Sequence, residues 1–397
     1  MIQHFIFTSE SVTEGHPDKL CDQISDAIVD RFLTHDPFAR VRAECAVSSA
    51  IVFIAARFRS ETTMDFAHVA RKIIKQIGYE QEEFNEKICS ILTAPKVLPI
   101  DLKMRFDERS LSDREISRIP AKNQVTVFGF ACDQTPAFLP MSIWVAHQLV
   151  RQLTAVRRLK VLPYLMPDGR VQVGVEYRDR RPTRIHSVTL VADQRDIGKP
   201  GIGTLRSDMM ASVIEPVFAK LDIQPDDKTR ININPEGPYQ GGPPHHSGLT
   251  GRKNAVDTYG EYARHSGKAL SGKDPIRIDR IGAYAARHAA KNIVAAGLAA
   301  ECEVLLSYSL GITQPVSLQV QTFGTGVIPE KDIAKLIQTH FDFRPAAIIR
   351  DFDLRNLPAQ NSGRFYQRLA SYGHFGRDDM ELPWERTDRL ERLKTSL

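Results

Sequence analysis

The chain has 397 residues, enough for two to three domains at about 150 residues each, so a minimal peptide-sized module is excluded. Apolar residues make up 42% and charged ones 25%, with 24 Gly and 23 Pro, which excludes collagen-like, low-complexity and wholly disordered classes. Lys plus Arg is 53 against 48 Asp plus Glu; the net charge of +5 is too small and dispersed for a nucleic-acid footprint and suits an anionic small molecule.

The start, MIQHFIFTSESVTEGHPDK, has acids where a signal peptide needs an apolar stretch, and no run of about 18 apolar residues occurs. Cys21, Cys45, Cys89, Cys132 and Cys302 are scattered, with no CxxC pair. Reduced thiols and a cytoplasmic location are expected, with no membrane span. Leu20, Ile24, Ala27, Ile28 and Phe32 predict a helix from Asp18. Val41 to Phe58 predicts two buried strands, and Thr63 to Ile77 another amphipathic helix. Residues 93–123 carry three prolines, many charges and no period, which predicts a mobile lid and a first boundary. Beyond it come a strand at Val125–Phe130, a helix at Ser142–Val156, strands at Val171–Tyr177 and His186–Val191, and a Gly/Pro turn at Glu236–Pro244. The last part shows an Ala-rich helix at Ile281–Ala296, strands at Glu301–Ser309 and Val316–Thr322, and a helix from Glu330. The expected organisation is an N-terminal domain (1–100), a lid (101–123), a central domain (124–241) and a C-terminal domain (242–397), in an internally repeated α/β (α+β) architecture.

Three clusters carry chemistry. Gly15-His16-Pro17-Asp18-Lys19 places an imidazole, a carboxylate and an ammonium at a helix start, where anions are favoured and a carboxylate can bridge to phosphate through Mg²⁺; its bland alternative is Asp18 as a helix cap. Gly248-Leu249-Thr250-Gly251-Arg252-Lys253 resembles a phosphate cradle without the P-loop spacing. Ser271-Gly272-Lys273-Asp274-Pro275, followed by Arg277, Asp279 and Arg280, offers cations for phosphate and a carboxylate for metal. Taken singly, each is more often a solvated charge run.

In order, these strings, with TSESVTEGHPDK at Thr8–Lys19, VDTYG, AAYAARxxAKNIVAAGLA in the variant Gly282–Ala299, and Tyr372-Gly373-His374-Phe375-Gly376-Arg377, resemble S-adenosylmethionine synthetase from end to end. The resemblance implies three similar strand-and-helix domains about a pseudo-threefold axis, and a homodimer or dimer of dimers with active sites between subunits. It implies transfer of the adenosyl group of ATP to methionine sulfur, followed by hydrolysis of the released triphosphate. Carried over by motif, His16 would sit near the breaking C5′–O bond, with Arg252 and Lys273 beside it as catalytic cations. Lys19, Asp168, Arg170, Tyr239, Arg252, Lys253 and Lys273 would hold ATP; Asp18 and Asp279 would hold Mg²⁺, and Glu44 would hold K⁺. Arg170 stands where the family usually has a lysine.

The acceptor half departs from the family pattern. Arg57 stands where a glutamate pairs with the substrate ammonium, Val97 follows Lys96 where a lysine-glutamine pair is usual, Asn123 takes the place of a lid aspartate, and His246 that of an aspartate in the GGP turn. Arg277 replaces a lysine, and Leu310 is grouped with this pocket. The expectations are therefore an adenosyltransferase acting on methionine or a methionine-like sulfur acceptor; a homologue with a rebuilt acceptor pocket or with triphosphate cleavage alone; or a silent subunit of a true synthetase. A nucleic-acid binder is disfavoured because the cations lie beside carboxylates without interleaved aromatics. His245-His246, two adjacent histidines without further ligands in the sequence, is read as surface.

Overall fold

A computed structural model describes residues 4–102 and 105–395. The chain folds into three sheets, each backed by a long helix. Strands β2 (Arg40–Ser48), β3 (Ile51–Arg59), β4 (Ser90–Val97) and the short β9 (Gly248–Leu249) form one sheet in the order β4-β3-β2-β9. Helices α1 (Pro17–His35) and α2 (Phe66–Ile77) cover it. Strands β1 (His4–Val12), β6 (Leu165–Arg178), β7 (Arg181–Gln194) and β8 (Arg230–Ile233) form the second, in the order β1-β6-β7-β8, under the helix Met141–Arg158. The third, β11-β10-β5, combines β5 (Val125–Cys132), β10 (Glu301–Tyr308) and β11 (Ser317–Gln321) under the helix Ile278–Ala295.

Each sheet thus borrows a strand from a distant stretch of chain: β1 joins the middle of the sequence, β9 joins the N-terminal strands, and β5 joins the C-terminal ones. One continuous apolar core lies under the first and third sheets, and a second under the β6–β7 hairpin. The expected helices and strands appear at the positions their periods predict. Strands β1 and β4 are additions to the sequence reading, and β4 extends into the stretch assigned to the lid. The lid residues are tied to the body along their length, among others by the pairs Arg105–Asp36, Arg355–Glu108 and Arg344–Asp113.

Helix α1 explains much of this closure. His16 caps it, Pro17 opens it with a preset φ, and Asp18 lies in its first turn. Its apolar face is the predicted one. A second face carries Asp18, Asp22, Asp26 and Asp30, one turn apart and all buried. Each accepts backbone N–H groups from remote loops: Asp18 from Leu249, Asp22 from Gly251, Asp26 from Gly272, and Asp30 from Tyr366 and Gln367. This stripe holds both glycine loops against one helix.

Candidate active site

Two polar clusters grow from α1. At its N-terminus, Gly15 lies so close to Pro167 that a Cβ there would fall 2.3 Å from the proline Cβ, which keeps the turn glycine and sets His16 beside Asp168. The buried Tyr79 hydroxyl donates to the Gly15 carbonyl. His16 Nδ1 accepts from the Asp18 amide at 3.1 Å, so the neutral ring carries its proton on Nε2. Burial, joined by the cations Lys253 and Arg170, pulls its pKa down to about 3 against the pull of Asp168. His16 is therefore a neutral donor at physiological pH.

Asp168 is buried, and burial alone would raise its pKa; the hydrogen bond from His246 Nε2 at 2.6 Å, His16 and the Gly242 amide at 2.9 Å outweigh that and hold it below the usual carboxylate range. The His16 and His246 rings stand 5.0 Å apart at 61°. Arg170 donates to the Tyr239 hydroxyl at 2.8 Å with its guanidinium 5.4 Å from that ring's centre, so cation and aromatic face come as a unit. Asp18 is pushed up by burial, and the Leu249 amide, Lys253 and Arg252 offset part of the rise. Lys253 bonds Glu10 at 2.8 Å across β1, and Arg252 is exposed beside it.

Lys19 does not face this cluster. Its ammonium is fully buried between Asp22 and Asp257, which outweigh the cost of burial and hold its pKa above the ordinary value. The sequence placed it with ATP because it follows the motif; the helix turns it inward, where it neutralises two buried carboxylates. Asp193 escaped the sequence reading. It is wholly buried next to Asp168, both its oxygens lack a hydrogen-bond partner, and burial, reinforced by Asp168, raises its pKa to about 8. The Asp18-Asp22-Asp26-Asp30 spacing was a readable signal for the buried stripe.

The second cluster lies by Asp26, roughly 12 Å along α1 from Asp18 at about 1.5 Å per residue. Gly272, at φ +76°, packs where a Cβ would lie 2.0 Å from the Ala43 carbonyl oxygen. Lys273 follows, its ammonium 3.5 Å from Asp279 Oδ1 and its pKa lowered to about 8 by burial, which Asp279 only partly offsets. Asn123 donates its amide to both Asp279 oxygens, at 3.1 and 3.0 Å. Arg277 caps the helix that carries Asp279. Lys273 bridges β2 at Arg42, and Arg42 pairs with Glu44 at 2.6 Å.

The outer face of the β4-β3-β2-β9 sheet continues from there. Arg57 is exposed between Arg42 and Lys96 in register, a row of three cations. Two rows over stand Leu249, Ala46, Phe53 and Leu92. Val97 and Leu310 are both 64% exposed, outside either cluster. Asp18 and Asp279 share no ion pair or three-ligand group among the described residues. One chain thus gathers His16, Asp18, Asp168, Arg170, Tyr239, His246, Arg252 and Lys253 in one half-site, and Lys273, Asp279, Asn123 and Arg277 in another. The five cysteines are buried free thiols, and no described helix is long and apolar enough to cross a membrane.

Three domain models match in order: the S-adenosylmethionine synthetase N-terminal domain over residues 4–96, the central domain over 118–239, and the C-terminal domain over 240–386. The chain is 48% identical to an S-adenosylmethionine synthase of Synechococcus sp. (strain JA-3-3Ab), covering 98% of this chain and 97% of that one. It is 47% identical to the S-adenosylmethionine synthase of Thermosynechococcus vestitus, over 99% and 98% of the two chains. With the same motifs standing on all three sheet-and-helix units from end to end, the chain belongs to the S-adenosylmethionine synthetase family of adenosyltransferases.

Proposed function

We propose that the chain transfers the 5′-adenosyl group of ATP to the sulfur of methionine and then hydrolyses the released triphosphate to pyrophosphate and phosphate. The observation that carries this reading is the convergence of a buried neutral imidazole, His16, with Asp18 and the cations Arg170, Arg252 and Lys253 on one turn. Sulfur forms a bond to C5′ as the C5′–O bond breaks, and the electron pair leaves on triphosphate. Such a leaving group needs charge stabilisation set in advance more than it needs proton transfer. In this reading His16 Nε2–H donates to the departing oxygen, and the cations receive the phosphate chain.

Asp18 and Asp279 would hold Mg²⁺, which suits their hard oxygens; Asp279 is now bonded by a neutral amide that a cation would displace. Glu44 would hold K⁺ through the oxygen that Arg42 does not use. The bound ions would neutralise triphosphate charge. Because the half-sites lie apart on α1, we read the working unit as a homodimer, or a dimer of dimers, in which the half-sites complement each other. The exposed apolar row with Phe53 (43%) and Leu92 (55%) supports a second copy on that sheet face.

One observation favours a second reading of the acceptor. The Arg42–Arg57–Lys96 row repels an ammonium and attracts a carboxylate, so the acceptor would be held chiefly by its acid end. The test is to incubate the protein with ATP, Mg²⁺ and K⁺, with and without methionine, and identify adenosylated products by mass. Phosphate release without an adenosylated product would leave triphosphate cleavage alone, and no turnover would make the chain a silent subunit. In His16→Ala, transfer should fall more than hydrolysis of added tripolyphosphate; an equal fall removes His16 from the first step.

A further inference from the structure

Among the described residues, His16, Asp168 and His246 are the three-ligand group, each offering an atom within 4.8 Å of the others. The sequence pointed away from such a site, since His245 and His246 are adjacent and lack further ligands. The fold separates them: His245 is exposed, while His246 turns in to Asp168. Two imidazoles and one carboxylate form a mixed nitrogen and oxygen set of the kind that suits zinc and its neighbours and is poor for Mg²⁺, which prefers oxygen alone. Tetrahedral zinc with bonds near 2.0–2.2 Å spaces its ligand atoms by about 3.4 Å. His246 Nε2 and Asp168 Oδ2, at 2.6 Å, would open by less than about 1 Å.

The surroundings lean the same way. Asp193, fully buried beside Asp168, has both oxygens without a hydrogen-bond partner, and the neighbouring Gln81 Oε1 is likewise unpartnered. Of the nearby cations, Lys253 is already neutralised by Glu10, and Arg170 is engaged with Tyr239. Metal on His16 Nε2 requires the ring proton to move to Nδ1, which must then give up the 3.1 Å hydrogen bond it accepts from the Asp18 amide; Asp18 Oδ2, 3.7 Å from that nitrogen, would swing in to accept the proton instead. The result would be the carboxylate–histidine–metal relay that orients zinc ligands elsewhere. Both rings stay neutral, so no proton leaves the site.

We propose that His16, Asp168 and His246 form a zinc-binding site at the active turn, and that zinc bound there blocks adenosyl transfer by taking the His16 nitrogen that serves the leaving oxygen. The second half rests on the role given to His16 above; the binding itself does not. The experiment is titration of Zn²⁺ into the full-length protein without ATP, in excess Mg²⁺, by calorimetry and by competition with a chromophoric chelator. One zinc per chain is expected. His246→Asn should weaken binding at least tenfold, and His245→Ala should leave it intact, with circular dichroism confirming that both variants are folded. Absence of stoichiometric binding, or binding insensitive to His246→Asn, overturns the site. With ATP and methionine present, zinc should slow product formation in the parent protein, and raising ATP should relieve the block. Stoichiometric zinc that leaves the rate untouched keeps the site and overturns its inhibitory role; a protein that forms no product at all fails the functional reading while the binding result stands.

Discussion

The half-site at the start of α1 and the outer face of the β4-β3-β2-β9 sheet were built in opposite ways. Around His16 the groups are cross-linked about a buried centre: a capped imidazole, a carboxylate with two donors, an arginine locked on a tyrosine. On the sheet face Arg57 stands in solvent between two other cations, with exposed Phe53 and Leu92 two rows away. The first region is preorganised within one chain, as stabilisation of a charged leaving group demands. The second is a surface whose chemistry is complete only when something lies on it. Family motifs sit in the first, and departures from them fall mainly where a side chain faces outward or toward the lid.

Four changes sharpen or break that contrast, beginning with the most severe. Asp26→Ala should leave the buried Arg280 guanidinium without its bidentate partner and cost about 3–5 kcal/mol of stability, read as a lowered midpoint in urea; an unchanged midpoint would mean that the α1 stripe does not fasten the fold. Lys273→Ala should spare folding and slow adenosyl transfer by about 10²–10³-fold, as loss of one positioned donor commonly does. Near-normal turnover would take Lys273 out of the reaction and leave the second half-site without a function. Arg57→Glu belongs to the open surface and should act more mildly, shifting the ratio of kcat/KM for methionine to that for its deamino analogue toward methionine by about tenfold. A shift the other way would show the ammonium is recognised elsewhere.

The smallest effect is a pH limb. Lys273 has its pKa lowered to about 8, so its charged form is present below that pH and lost above it. Tripolyphosphate should bind less tightly as pH rises through about 8, and Lys273→Arg should move the fall to higher pH. His16, with its pKa near 3, should contribute no titration between pH 5 and 9.

What the sequence made legible follows the same contrast. Apolar period revealed α1, α2, the two helices of the later sheets and strands such as β5 and β10, because those elements bury one face or both. Strand β4 escaped because Pro95 and Lys96 read as loop; it is an edge strand, where proline is tolerated. β1 escaped because Thr8-Ser9-Glu10-Ser11 looks polar, yet Ser9 and Ser11 bond buried Ser142 and His147. Charges misled in both directions. Lys19, beside a phosphate motif, proved to be a structural cation, while Asp22, Asp26 and Asp30, which composition counts as surface, lie in the core. Pairing across more than 200 residues leaves no trace in a local pattern.

The acid stripe also sets an order of events during synthesis. Helix α1 leaves the ribosome within the first tenth of the chain, carrying four aspartates whose backbone-amide partners are not yet made. Gly251 and Gly272 arrive more than 220 residues later, and the amides for Asp30 come 336 and 337 residues later. Until then these carboxylates must stay hydrated, so the acidic face of the helix stays open to water even when its apolar face is on the sheet. The first helix to be made is thus among the last to be sealed, and a chain cut short before Tyr366 would leave Asp30 without the two amides that cover it.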